Sequence, residues 1–280
     1  MFRRVLFRSD AATAAIRDAA RPIVVAGRGC RADAAPWLRA FAESTPAPVL
    51  VTAQGKGALA DPHPLAIGML EPGHPLLARA DLIVALGVAG EVEASTWPTG
   101  AQLLEVVGDP AVFLAEMAER LRGDHRADWD VAELDRIKRA LLAQPTGGGV
   151  LTLAQVVAIV REATPVGTRA TSDLAIARFW QAVLPGDYLA ETETPGFAIA
   201  AAIAASLADP ARRTVAFTDA RGLAETELAT GEAFGAPVVV VVISPAEGVS
   251  GPDELRRAFD AAWRSEQPRL VRARLSSSPC

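Results

Sequence analysis

Short apolar runs alternate along the chain with stretches whose apolar residues recur at helical spacing. From Arg21, RPIVVAGRGC reads as a strand and a tight turn, ADAAPWLRAFAES as an amphipathic helix, and APVLVT as a second strand. ADLIVALGV (80–88) and AQLLEVVG (101–108) are further strands, and DPAVFLAEMAERLRG opens with the Asp-Pro pair of a helix start. Apolar strands that do not alternate with polar residues, set between helices, indicate a parallel sheet covered on both faces.

The pattern then changes and resumes. WDVAELDRIKRALLAQ is a charged amphipathic helix ending in PTGGG, read as a linker over 124–149. Beyond it, LTLAQVVAIVREATP is helical, and TPGFAIAAAIAASLADP is a helix opened by a glycine. RRTVAFTDA is a strand ending at Asp219, GLAETELATGEAFG a helix and APVVVVVIS a buried strand. PDELRRAFDAAWRSE and PRLVRARL close the series as helix and strand. The expected fold class is α/β: two successive three-layer domains with mainly parallel sheets, at 12–123 (Rossmann-like) and 150–275.

Composition narrows the setting. The chain has 280 residues, half of them hydrophobic, and a net charge of −5 without a basic stripe, which argues against nucleic-acid or anionic-membrane partners. Its longest apolar runs, Pro237 to Ile243 and Phe197 to Ala205, fall well short of the ~20 residues of a membrane-spanning helix. Cys30 and Cys280 are the only cysteines, too few for a disulfide framework or zinc cluster, so a cytoplasmic setting is expected.

Candidate chemistry is sparse. Gly27, Gly29 and Ala32 fit a loose G-x-G-x-x-[GA] turn between strand and helix, a pattern shared by dinucleotide sites and by plain tight turns. The following strand ends in Thr52, Ala53 and Gln54, where a dinucleotide site has an acid for the ribose. His63, His74 and His125 sit in loops without a serine or cysteine partner in the sequence pattern, and no zinc motif occurs. Asp219, at a strand end, suits either a ligand crevice or a helix N-cap. No residue is assigned a catalytic role.

In order, these segments resemble the middle and C-terminal domains of thiamine diphosphate enzymes of the acetolactate synthase and 2-oxo acid decarboxylase family. RPIVVAGRGC, APVLVTAQGKGALADPHPLAIGML and ARADLIVALGV are similar to the middle domain. LTLAQVVAIVREATP and the run from TPGFAIAAAIAASLADP to APVVVVVIS are similar to the thiamine diphosphate-binding domain. The resemblance implies thiamine diphosphate and Mg²⁺ as cofactors, with Gly196, Asp219, Ala220 and Ser244 at the cofactor and Asp219 and Ser244 as metal ligands. It also implies a 2-oxo acid substrate in intact relatives and a homodimer or tetramer. FAD is known in the synthase branch, but nothing local to this sequence demands it.

The family's Gly-Asp-Gly is here Thr218-Asp219-Ala220, its Asn-Asn pair is Ser244-Pro245, and its glycine-rich element before the helix is Glu193-Thr194-Pro195-Gly196. Proline offers neither an amide donor nor a ligand, and an acid beside a diphosphate repels it. Only a short loop follows Ser244, and the family's N-terminal domain, with the glutamate that activates the cofactor, is not matched. Two readings follow: a fragment of such an enzyme, inactive by itself, or a noncatalytic scaffold or regulatory relative that keeps the fold without the cofactor. FRRVLFRS (2–9) admits a back-translation that matches the end of a common sequencing adapter, so positions 1–11 are expected to be an unordered, non-native extension.

Overall fold

The computed structural model describes residues 3–5, 9–98, 100–123, 127–142, 151–191, 194–223 and 225–275. They form two compact units, one from positions 1–143 with the short segment Ala182–Gly186, the other from 144–181 and 187–280. His125, Glu193, the glycines of PTGGG and Cys280 lie outside the described residues.

The first unit runs β1 (Arg3–Val5), α1 (Ser9–Asp18), β2 (Pro22–Ala26), α2 (Ala35–Ser44), β3 (Val49–Val51), β4 (Ala66–Met69), β5 (Leu82–Leu86), β6 (Gln102–Val106), α3 (Pro110–Arg120) and α4 (Val131–Leu142). Its six strands are parallel in the order β1-β6-β5-β2-β3-β4. Side chains alternate across the sheet. Val24, Ala26, Val49, Val51, Val84 and Leu86 pack under α1, α2 and α3. Ile23, Val25, Leu50, Ile67, Ile83 and Ala85 face Leu76, Leu77, Trp129 and Leu134. The start of α3 follows from sequence: Asp109 accepts the Ala111 amide at 2.8 Å and Pro110 takes the first helical position.

Two segments differ from expectation. Arg3–Val5, expected to be unordered, pairs with Leu104–Val106 as an edge strand. The helix read as a linker, α4, packs on the first sheet. Leu134 is buried and Ile137 half-buried there, the Trp129 indole N–H donates to Pro22 O at 2.8 Å, and Lys138 Nζ donates to Asp61 O and His63 O at 2.7 and 2.8 Å.

The second unit runs α5 (Leu153–Glu162), β7 (Arg169–Ser172), β8 (Tyr188–Ala190), α6 (Phe197–Ala208), β9 (Thr214–Asp219), α7 (Glu225–Ala233), β10 (Val238–Ser244), α8 (Pro252–Trp263) and β11 (Arg269–Arg274). Its five strands are parallel in the order β11-β10-β9-β7-β8. A reciprocal capping box starts α5: Thr152 Oγ1 accepts the Gln155 amide, and the Gln155 side chain accepts the Thr152 amide. α6 is apolar on nearly every side; Ala198, Ile199, Ala202 and Ile203 pack on Val238, Val240 and Val242. No helix among the described residues is long and apolar enough to cross a membrane.

Both sheets have a topological switch point, where successive strands leave in opposite directions and the C-terminal strand ends open a crevice. It lies between β2 and β5 in the first unit and between β7 and β9 in the second.

Candidate functional site

The crevice of the second unit gathers the end of β7, the end of β9 and the start of α6. Asp173, the residue after β7, is 8% exposed. Its Oδ2 accepts the Gly196 amide at 2.9 Å and the Thr218 hydroxyl at 2.9 Å, while its Oδ1 is buried without a hydrogen-bond partner. Gly196 caps α6 with φ of 91°, the left-handed region open to glycine. An amide at the mouth of a helix is a natural phosphate donor; here it serves a carboxylate of the same chain.

Asp219 ends β9, next to the fully buried Thr218. Its Oδ1 accepts the amides of Arg221 and Gly222 at 2.8 and 3.3 Å. Its Oδ2 accepts Nε and Nη2 of the same arginine at 2.9 and 2.8 Å. Burial pushes the Asp219 carboxyl up, but the Arg221 side chain and the two amides outweigh it and hold the group below the usual carboxylate range. Glu227, on α7, faces the same region. Burial and the nearby Asp173 charge push it up, and its Oε2 is buried without a hydrogen-bond partner.

The four residues expected at the cofactor are distributed unevenly. Gly196 and Asp219 lie in the crevice, joined to it through Asp173 and Thr218. Ala220 is exposed on the turn after β9. The closely packed glycine is Gly222, where a Cβ would run into Thr218 Oγ1 and Asp173 Oδ2. Ser244 ends β10, one step beyond the Ile243–Asp219 register pair, and its hydroxyl accepts the amides of Ala246 and Glu247 at 3.2 and 3.1 Å in its own loop. Asp173, Arg221 and Glu227 were not singled out from sequence. The only cue to Asp173 was an acid after a four-residue strand.

A metal-bridged diphosphate needs free hard oxygen ligands on one side and free backbone donors on the other. Both Asp219 oxygens are engaged within the chain, and the Gly196 amide is taken by the Asp173 carboxylate. Among the described residues, no group of three or more His, Cys, Asp or Glu side chains is arranged to hold a metal. These residues do not fit the diphosphate group.

The first crevice is closed as well. Gly29 N donates to Gly87 O at 3.0 Å, and a Cβ on Gly29 would lie 2.6 Å from Gly87 Cα, so two backbones meet where only glycines fit. Glu91 lies across this loop, its side chain 6% exposed, accepting the Arg28 amide at 2.8 Å and the Thr52 hydroxyl at 2.5 Å. Cys30, buried beneath, has its thiol pushed up to about 12, mainly by burial, and is inert as a nucleophile.

Residues 9–126 match the family described as thiamine pyrophosphate enzyme, central domain. The chain is 28% identical over 291 residues to glyoxylate carboligase of Escherichia coli O157:H7, a match covering 87% of this chain and 48% of that protein. The first unit thus carries the match to the thiamine pyrophosphate enzyme central domain. To the acetolactate synthase large subunit of Parasynechococcus marenigrum it is 30% identical over 284 residues, covering 84% of this chain and 45% of the relative. A structure described as a thiamin diphosphate-dependent enzyme from Mycobacterium smegmatis shares the fold, with a TM-score of 0.76 at 17% identity, covering 96% of this chain and 64% of that one. The chain therefore spans about half the length of these two curated relatives.

Proposed function

We propose that this chain is a noncatalytic member of its family, one that keeps the two α/β units as a scaffold or regulatory body and does not hold thiamine diphosphate and Mg²⁺. The observation that carries this reading is the engagement of Asp219 on both carboxylate oxygens by Arg221 and Gly222. The one expected metal ligand of the Gly-Asp-Gly position is neutralised from within. Ser244 supports the same reading, because its hydroxyl is directed to its own loop and Pro245 beside it adds no ligand.

Thermal unfolding with and without thiamine diphosphate and Mg²⁺ tests this. A ligand that binds only the folded state raises Tm by mass action. The reading predicts no shift at millimolar cofactor, and a shift of several degrees that disappears in Asp219→Ala overturns it.

A second reading has one observation in its favour. Similarity to a glyoxylate carboligase and an acetolactate synthase runs through both units, which suits a piece of a carboligase or decarboxylase acting on a 2-oxo acid. Turnover of glyoxylate or pyruvate by a longer form of the protein would establish it.

A further inference from the structure

The first unit contains a group of hydrogen-bond donors that converge on one point and are filled from within. The Arg28 backbone N–H, in the loop between β2 and α2, points at Glu91 Oε1 at 2.8 Å. The Arg28 guanidinium Nε lies 3.4 Å from the same oxygen. From the end of β3, the Thr52 hydroxyl donates to Oε2 at 2.5 Å and itself accepts the Gly55 amide at 3.0 Å. The carboxylate rests against Gly27, where a Cβ would lie 2.9 Å from Oε1, so a side chain at Gly27 would displace it. Glu91 reaches this place from a tight turn just past Gly87, its own amide bonded to Val88 O at 2.9 Å.

An amide, a hydroxyl and a guanidinium aimed together at a point beside glycine backbone make a receptor for two oxygens of an anion. The location is the switch-point crevice, where open α/β sheets take ligands. We propose that this is an oxyanion cradle that the chain fills with its own Glu91 carboxylate, and that a small free carboxylate or phosphate takes the same donors when Glu91 is withdrawn. Glu91 is thus an internal ligand that blocks the crevice. The ligand class follows from the donors, which match two acceptor oxygens and provide one adjacent positive charge. This site is separate from the crevice behind the proposed function and does not depend on that reading.

The test is chemical rescue. Glu91→Ala removes a side chain whose functional end is nearly acetate. Wild type, Glu91→Ala, Glu91→Gln and Glu91→Ala/Thr52→Val are unfolded thermally in sodium chloride, sodium acetate or inorganic phosphate at one ionic strength. The expected result is a rise in Tm of several degrees for Glu91→Ala in acetate, phosphate or both, half-saturating at millimolar concentration. Whichever salt acts identifies the source of the oxyanion. Glu91→Gln, which keeps the space filled, should not respond, nor should wild type, and the double variant should respond at least threefold less. If Glu91→Ala does not fold in chloride, recovery of its far-ultraviolet circular dichroism in the two anions is scored instead. A Glu91→Ala protein indifferent to both anions overturns the proposal, and so does an equal response from wild type.

Discussion

Arg221 holds Asp219 with three hydrogen bonds, one from its backbone N–H and two from its guanidinium, all between 2.8 and 2.9 Å. Both guanidinium nitrogens donate to Oδ2 and the backbone N–H to Oδ1, charge-assisted bonds made here by a residue only two positions along the chain. The cation is therefore built into the turn.

Arg221→Ala should raise the Asp219 pKa, because the opposing effect of burial is then no longer outweighed by the side chain. A carboxyl held below its unfolded value of 3.8 contributes stability above that pH and loses it as pH falls through the folded value. The variant should lose less stability than wild type on acidification below pH 4. Carboxyl carbon shifts followed by NMR through the titration measure the pKa directly, and an unchanged value would remove Arg221 from the account.

Glu227 runs the other way. Burial and the neighbouring Asp173 charge raise its pKa, so its contribution is fullest below the unfolded value of 4.5 and is lost as pH rises through the folded value. Glu227→Gln supplies the neutral form permanently. It should raise Tm by about 1–3 °C at pH 7, a small effect because the group is only half-buried, and by nothing near pH 4. Calorimetric scans at the two pH values separate the outcomes; a destabilised variant at pH 7 would show that the charge is needed.

His74 is buried at 4% exposure, its Nδ1 accepting the Leu76 amide at 3.3 Å and its Nε2 without a hydrogen-bond partner. Burial depresses its pKa, partly countered by Glu71. Folding then opposes protonation, and stability falls as pH drops below the unfolded value of 6.5. His74→Leu should flatten that loss between pH 7 and 5, as read from urea midpoints. An identical pH dependence in the variant would place the titration elsewhere.

Lys56 is 5% exposed and pairs with Asp61 at 2.5 Å, where Asp61 also accepts the Ala182 amide at 2.7 Å. Lys56→Met leaves that carboxylate without its counter-charge. A cost of about 3–5 kcal/mol in urea unfolding is expected, and Lys56→Met/Asp61→Asn should recover part of it. A cost under about 1 kcal/mol for the single variant would mean the pair is solvated.

How much of this was legible in the sequence depends on element length and on distance along the chain. β2, β5 and β10 are apolar over five or six residues and β9 has the apolar centre Val215–Phe217, and these runs name them. β4, β7 and β8 have three or four residues, with Gly68 inside β4, Arg169, Thr171 and Ser172 in β7 and an exposed Leu189 in β8, too little for any period to register. Asp173 follows β7 and is as inconspicuous in the sequence as that strand, whereas Asp219 closes a legible one. α4 looked like a linker because its exposed face is charged, while Leu134, Ile137 and the preceding Trp129 were enough to fasten it to a sheet. At the end of the VLVTAQ strand Thr52 meets Glu91, 39 residues away, a meeting that only the fold arranges.

Titration calorimetry with thiamine diphosphate in saturating Mg²⁺ measures most directly whether the crevice at Asp173, Gly196 and Asp219 admits a metal-bridged diphosphate. The account predicts no binding heat up to millimolar cofactor. Saturable 1:1 binding that is lost in Asp219→Ala would contradict it.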